Sequence, residues 1–233
     1  MIEVRPLSSL ADFTEAVDLQ RTIWGFADLE LLPVRLFVVA SKVGGQIFGA
    51  FDQGRMVAFL LAIPGLKSGG GYYLHSHMMG VLSEYRNAGI GRLLKLKQKE
   101  EALSRGITLI EWTFDPLEVK NAFFNIERLG AVVRRYVLNQ YGTTTSDLHG
   151  GLPTDRCVAE WYLAEKIERP AEAARIVVPM AIQDWKKSDP ARARQAQAAI
   201  SDQFQEHFRA GLAVFGFERS ETQGTYILGK WHS

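Results

Sequence analysis

The sequence predicts a mixed α/β protein, a β-sheet flanked by helices, with a C-terminal extension of one helix and a strand pair. Three observations carry this prediction. Apolar residues recur at helical spacing near the amino end and again after residue 190, whereas β-branched and aromatic runs of strand length fill the middle. Two strand-like runs, residues 46–51 and 56–63, flank a short turn containing Gly54. Strand and helix patterns then alternate from residue 72 to 138, which calls for at least one crossover connection of right-handed sense.

The elements follow in order. Residues 2–7 alternate and fit a short edge strand that stops at Pro6. Ser8 or Ser9 is placed to cap a helix whose apolar face is Leu10, Phe13, Ala16, Val17, Leu19 and Ile23, closed at Gly25. Residues 31–43 fit a second helix with Pro33 in its first turn, a loop being the competing assignment. After the hairpin, residues 64–71 are expected to form a glycine-rich loop and 72–81 a strand. Residues 90–105 predict a helix ended by Gly106, 108–114 a strand, and 119–129 a helix ended by Gly130. Strands at 132–138 and 156–163 enclose a polar loop over 141–153. Composition shifts after Glu165, giving an expected domain of residues 1–165 and an extension of 166–233. That extension holds a helix begun by Asp189 and Pro190, with Ala193, Ala196, Ile200, Phe204 and Phe208 on one face, and a closing strand pair at 214–217 and 225–228. It is expected to pack on the domain or on a second subunit, so a homodimer is one expected assembly.

Composition narrows the function. The 233 residues carry 27 Lys and Arg against 26 Asp and Glu, a net charge of +1, without the basic excess expected of a nucleic-acid or membrane-surface binder. Cys157 is the only cysteine and sits in an apolar run, which reads as core; a disulfide within the chain and a Cys-x-x-Cys site are excluded. The amino end lacks a signal-peptide pattern, and the longest apolar run, 56–63, is too short to span a bilayer. A soluble, cytoplasmic protein is expected. His75 and His77 share one face of a strand, but the sequence places no third ligand beside them, so no metal is expected.

The chemistry concentrates between His77 and Arg92. A strand ends near Val81, a polar turn follows, and Arg86, Asn87, Ala88, Gly89, Ile90, Gly91 and Arg92 lead into a helix. Amides that open a helix are unpaired and carry the positive end of its dipole. Gly89 and Gly91 allow close approach to the main chain, and Arg86 and Arg92 add charge of phosphate-matching geometry. The stretch therefore reads as a diphosphate cradle. A dinucleotide fingerprint is the rival, with Glu111 about twenty residues on as the ribose acid. It fails because Leu94 stands at the third glycine and polar residues separate Val81 from Gly89.

Arg86, Gly89 and Gly91 match the Arg/Gln-x-x-Gly-x-Gly/Ala signature, and the chain here resembles the GNAT superfamily of acyl-CoA N-acyltransferases. Met79, Gly80 and Val81 resemble that superfamily's central strand, and Leu129 and Gly130 the end of its second conserved helix. The block from His75 to Ala131 is also similar to a branch in which some members resemble amino-acid N-succinyltransferases. The resemblance implies a GNAT-like, splayed sheet with acyl-CoA wedged between two diverging strands. It places the diphosphate on the amides of residues 86–92, the pantetheine along Met79, Gly80 and Val81, and the thioester carbonyl on an N–H of that strand. Acetyl-CoA or another acyl-CoA is then the co-substrate, and a small-molecule primary amine the acceptor. Many members carry a proton-donating tyrosine three residues before the Leu-Gly pair; here Ile126 stands there, preceded by Asn125. Asn121 and Asn125 remain as contacts for the pantetheine arm.

Amine acylation needs one proton removed from an ammonium and one returned to a thiolate. Candidate bases are Glu111, His77 and Asp115, and candidate acids are Tyr136 and Tyr141. Each has a plainer role available: Glu111 as an ordinary strand residue, Asp115 as a helix cap. Arg156 is a candidate clamp for an acceptor carboxylate, against a surface ion pair with Asp155 or Glu160. The missing tyrosine also leaves a non-catalytic acyl-CoA-binding or regulatory module as the alternative function.

Overall fold

A computed structural model describes residues 1–142 and 151–232. The chain forms two compact units, Met1–Glu111 and Trp112–Ser233. The middle of the polar loop expected over 141–153 lies outside the described residues.

In the first unit the strands run in the order β1 (Glu3–Pro6), β2 (Gln46–Asp52), β3 (Arg55–Leu66), β4 (Tyr72–Val81) and β5 (Leu109–Phe114), of which residues 109–111 belong to this unit. Neighbours from β1 to β4 are antiparallel, and β4 and β5 are parallel. The parallel pair is joined by α3 (Ile90–Ser104), as the strand–helix–strand pattern requires. Ser9, not Ser8, caps α1 (Leu10–Trp24): its hydroxyl accepts from the Asp12 N–H at 3.0 Å while Asp12 accepts from the Ser9 N–H at 3.2 Å, a reciprocal capping box. Pro33 precedes α2 (Val34–Lys42) as its cap rather than lying in its first turn. The core of the unit, Phe37, Met56, Phe59, Leu60, Leu61 and Leu74, is fully buried, with Trp24 meeting Phe59 edge-on at 5.9 Å.

One strand boundary differs from the expectation. The loop placed over 64–71 loses its first residues to β3, which continues through Pro64 to Leu66, paired with β4 down to Leu66↔Tyr72. Proline is tolerated because β2 ends its pairing at Gln46↔Ala62, so Pro64 lies where β3 has a partner on the β4 side.

The second unit orders its strands β5, β7 (Arg156–Tyr162), β6 (Val132–Val137), β9 (Leu212–Arg219), β10 (Gln223–Lys230) and β8 (Glu172–Pro179). β9 pairs with β6 at Val133↔Val214, so the C-terminal strands extend the sheet of this unit. Asp189 accepts from the Arg192 N–H at 3.1 Å and Pro190 opens α6 (Pro190–Arg209), as its start signals required. Phe204, Phe217 and Tyr226 meet with ring centroids 4.7 to 4.9 Å from Tyr226. The Tyr226 hydroxyl, fully buried, donates to the Pro116 carbonyl at 2.7 Å.

The helix expected over 119–129 is shorter and changes pitch. It is α-helical as α4 (Val119–Phe123) and then makes a π turn over Phe124–Arg128, in which the Leu129 N–H reaches the Phe124 carbonyl at 3.1 Å. β8 and the short α5 (Ile182–Ser188) had no counterpart in the sequence pattern.

Gly80 has a packing reason distinct from any ligand. A Cβ there would lie 2.7 Å from Trp24 Cη2 and 2.8 Å from Ile23 Cδ1, because α1 crosses β4 at this residue. Gly80→Ala is expected to cost about 1–3 kcal/mol through this overpacking; urea unfolding monitored by tryptophan fluorescence measures it.

Candidate active site

The site is built where β4 runs out and α3 begins. The Leu82 N–H donates to the Val57 carbonyl at 2.9 Å, and the Tyr85 hydroxyl donates to Asp52 at 3.0 Å, so the turn over Ser83–Tyr85 is fastened to the sheet. Asn87 and Gly89 then take left-handed conformations, φ 64° and 80°, which swing the chain into the helix. The first intrahelical bond of α3 runs from the Leu93 N–H to the Gly89 carbonyl at 3.1 Å, and no side chain caps the amides ahead of it. No acidic residue occupies the first turn, where one is normally favourable; Arg92 stands there instead, exposed. Arg86, also exposed, donates to the Val81 carbonyl at 3.3 Å. Uncapped amides, a positive dipole end and two arginines, with the one acid of the turn, Glu84, paired to Arg55, form a site that fits a diphosphate. Ala88 and Ile90 supply main chain to it, with the Ile90 side chain buried below. Gly91 faces the sheet side, its would-be Cβ in ordinary contact with Met79 Cε at 3.4 Å.

Along β4, the register with β3 steps from Leu61↔Met78 to Ala62↔Ser76, leaving His77 as the extra residue of a β-bulge. On the other side β4 pairs with β5 at Leu74↔Ile110 and His75↔Glu111, and β4 itself runs on from Ser76 to Val81. His75 and His77 lie with ring centroids 6.0 Å apart. His77 is exposed at its surface yet crowded enough that desolvation pushes its imidazole below the ordinary value. Its neutral, proton-accepting form therefore persists to lower pH than in an unperturbed histidine. Glu111 is buried and forms an ion pair with Lys67, a residue of the glycine-rich connection whose sequence context assigns it no role. Below the strand, Lys95 of α3 is fully buried, donates to Ser76 Oγ and Gln98 Oε1 at 3.0 Å, and burial holds its pKa well below the usual lysine value. This bond ties the cradle helix to the strand beside the bulge.

The remaining candidates belong to the second unit. Asp115 is buried and accepts from the Leu117 N–H at 2.8 Å, with Lys186 Nζ 3.9 Å away, the geometry of a turn cap. Tyr136 is stacked on Phe204, its hydroxyl 2.7 Å from Ser201 Oγ and 3.2 Å from Asp155 Oδ2; burial raises its pKa far above that of a free phenol. Tyr141 is exposed, its hydroxyl 3.0 Å from Thr113 Oγ1. Thr154 fixes the chain there, accepting from the Tyr141 N–H at 2.9 Å and donating to the Gly142 carbonyl at 3.0 Å. Arg156 lies over the Tyr141 ring, 5.2 Å from its centroid. Nearby, Glu160 binds Arg134 and Arg135, and Asp155 binds Ser201, Tyr136 and the Asn139 N–H. Asn125 is buried and donates to Asn121 at 3.3 Å, and Asn121 is exposed. Ile126, at the position where many family members carry a tyrosine, is buried in the π turn. Burial drives the Cys157 thiol well above its usual pKa, as befits a core residue. Among the described residues no group of His, Cys, Asp and Glu is arranged to hold a metal, and no helix is long and apolar enough to cross a membrane.

Residues 13–130 match the acetyltransferase (GNAT) family, just over half the chain, and they contain the bulged strand, the cradle and the π turn. The chain belongs to this family and is an acyl-CoA-dependent N-acyltransferase. Its fold is similar to that of the ribosomal-protein-S18-alanine N-acetyltransferase of Escherichia coli, with TM-score 0.56 and 18% identity over 72% of this chain and 98% of that one. It is also similar to Arabidopsis thaliana NAA60 solved with a bisubstrate analogue, with TM-score 0.57 and 16% identity over 70% of this chain and 99% of that one. The NatC complex bound to Gag peptide and CoA gives TM-score 0.56 at 15% identity, over 70% of this chain and 99% of the matched one. Comparison with curated protein sequences gives no significant match.

Two measurements test the site. Gly91→Glu places a carboxylate in the first turn of α3, where it favours the helix, so thermal stability should hold or rise while CoA affinity falls at least about tenfold. Calorimetry with CoA and a thermal melt check both halves. Gly89 is unsuited to this test because its φ of 80° would strain any side chain. The His77 imidazole should titrate, by NMR, with a midpoint below the ordinary 6.5, and the signal should vanish in His77→Gln.

Proposed function

We propose that this acyltransferase moves a short acyl group, acetyl or succinyl, to the primary amine of a small-molecule acceptor such as an amino acid, by direct attack of the amine on the thioester. The observation that carries this reading is the uncapped, arginine-flanked start of α3 set directly after the bulged strand β4. The amides of Gly89, Ile90, Gly91 and Arg92 would hold the diphosphate, with Arg86, Asn87 and Ala88 completing the turn. The backbone of Met79, Gly80 and Val81 would run along the pantetheine, and an N–H of β4 would polarise the thioester carbonyl. Asn121 and Asn125 are the proposed contacts of the pantetheine arm.

Direct attack is favoured over a covalent acyl-enzyme because the single cysteine is buried and held as a thiol. For deprotonation of the amine, Glu111 and His77 are the proposed bases, since Asp115 already serves as a cap. For return of a proton to the thiolate, Tyr141 is the better donor. The phenol of Tyr136 is held by Asp155 and Ser201, and its raised pKa opposes proton release. Arg156 is proposed to receive an acceptor carboxylate, which its position over Tyr141 supports.

The test is thiol release from acetyl-CoA and succinyl-CoA across a panel of amines and amino acids, with calorimetry of each thioester and of NADH. Amine-dependent thiol release is expected, and binding of NADH without either thioester would sink the proposal. Arg156→Ala should raise KM for an amino-acid acceptor about tenfold or more, the worth of a charge-assisted pair, and leave the acyl-CoA KM unchanged. Equal kinetics in the two proteins would remove Arg156 from acceptor binding.

A further inference from the structure

A primary amine, that of Lys67, rests on Glu111, one of the proposed bases. Lys67 follows β3 in the connection to β4, at a turn closed by its own N–H on the Gly71 carbonyl at 3.0 Å and by the Gly70 N–H on its carbonyl at 2.9 Å. Its ammonium is paired with the carboxylate of Glu111 and lies 4.7 Å from the centroid of the Tyr73 ring. The pair is asymmetric: the Lys67 side chain is 36% exposed, whereas that of Glu111 is 4% exposed. A reachable amine thus rests on a buried carboxylate that is itself a proposed base. Side chains at Gly69, Gly70 and Gly71 would meet nothing within 4 Å, so the turn carrying Lys67 has open space around it.

On the acyl-CoA placement proposed above, the reactive carbon would lie toward this pair. With the diphosphate at the start of α3 and the pantetheine along Val81, Gly80 and Met79, the thioester would point toward the amino end of β4, to His77 and then His75. His75 lies about 7 Å beyond His77 at the rise of a strand, and its partner across the ladder is Glu111. We propose that Lys67 is a self-acylation site: the enzyme transfers an acyl group from its own bound acyl-CoA to Lys67 Nζ. The inference rests on the acyl-transfer reading above and goes beyond it by naming an acceptor within the chain.

In the step, Glu111 takes a proton from the Lys67 ammonium, and the freed lone pair attacks the thioester carbonyl carbon. The C–N bond forms, the C–S bond breaks, and the CoA thiolate leaves and is protonated as the nitrogen sheds its remaining extra proton. The products are an amide on Lys67, free CoA thiol and one proton in solution. The amide carries no charge, so the modification also removes the cation paired with Glu111.

The test incubates the full chain with acetyl-CoA and follows acetylation of each lysine by peptide mass spectrometry. Lys97 is the matched control: its side chain is 37% exposed and it too pairs with a carboxylate, Glu100, at 3.0 Å. Lys67 should be acetylated about a hundredfold faster than Lys97, the usual worth of a positioned base. The rate should be independent of protein concentration, and Glu111→Gln should bring Lys67 down to the Lys97 rate. Acetic anhydride, which needs no site, should modify the two lysines at similar rates, and Lys67→Arg should abolish the fast signal. Equal rates for Lys67 and Lys97 in a chain that binds acetyl-CoA by calorimetry would overturn the proposal and leave Lys67 a structural ion pair. A rate that grows with protein concentration would overturn it as an intramolecular step. Absence of acetyl-CoA binding would instead remove the reading on which it rests.

Discussion

The antiparallel ladder between β3 and β4 is the constraint on which the functional half of the chain depends. It holds β4 from Tyr72 to Val81 and delivers the chain at a fixed point into the turn that opens α3. A single extra residue, His77, breaks its register. A bulge bends and twists the strand that carries it, so the ladder places an imidazole and redirects the strand with one insertion. Gly80, required where α1 crosses, keeps the far end of β4 flat against Trp24 and Ile23. The buried Lys95 fastens α3 back to Ser76, next to the bulge. Movement of the cradle relative to the strand would therefore have to break a hydrogen bond of a fully buried amine, which is a costly event.

Electrostatics divides this strand–helix unit into two ends. At the α3 end there is unbalanced positive charge: uncapped amides, the dipole, Arg86 and Arg92, without an acid in the first turn. A cation at a helix amino end adds no favourable interaction with the dipole, and the arrangement suits the anion proposed to bind there. At the other end the charge is balanced internally, Glu111 by Lys67. The pair joins a buried carboxylate to a partly exposed ammonium, which is compatible with the base role proposed for Glu111.

Much of this was legible in the sequence because it is local. The cradle is a contiguous run whose glycines, arginines and helix start follow from backbone geometry, and α6 announces itself through Asp189 and Pro190. What was not legible depends on partners far along the chain. The partner of Lys67 lies 44 residues away, and no local pattern links the two. The bulge at His77 depends on how β3 is registered opposite it. Pro64 read as a strand end because nothing local shows that β2 has already stopped. β8 stands at the end of the sheet order and buries Ile176 and Val178 alone, and α5 is too short for a periodic signal.

The π turn bears on what can be carried over from the family by counting. The position three residues before Leu129 falls on Ile126 when the chain is counted as α-helix. In the π turn, however, the Phe124 carbonyl is reached from five residues on, by the Leu129 N–H, so the helix gains a residue and its face rotates by about one residue's worth of angle. Asn125 and Ile126 are both buried within this turn, and neither side chain is a proton donor of tyrosine's kind. The absence of the tyrosine is therefore not repaired by a shift of one position. Glu127, the next residue, is held by Arg169 and the Phe217 N–H, so on the proposed reading an acid, where the reaction uses one, comes from outside this helix. That requirement, and not the mere presence of a second tyrosine, is what gives the exposed hydroxyl of Tyr141 its place in the proposed chemistry.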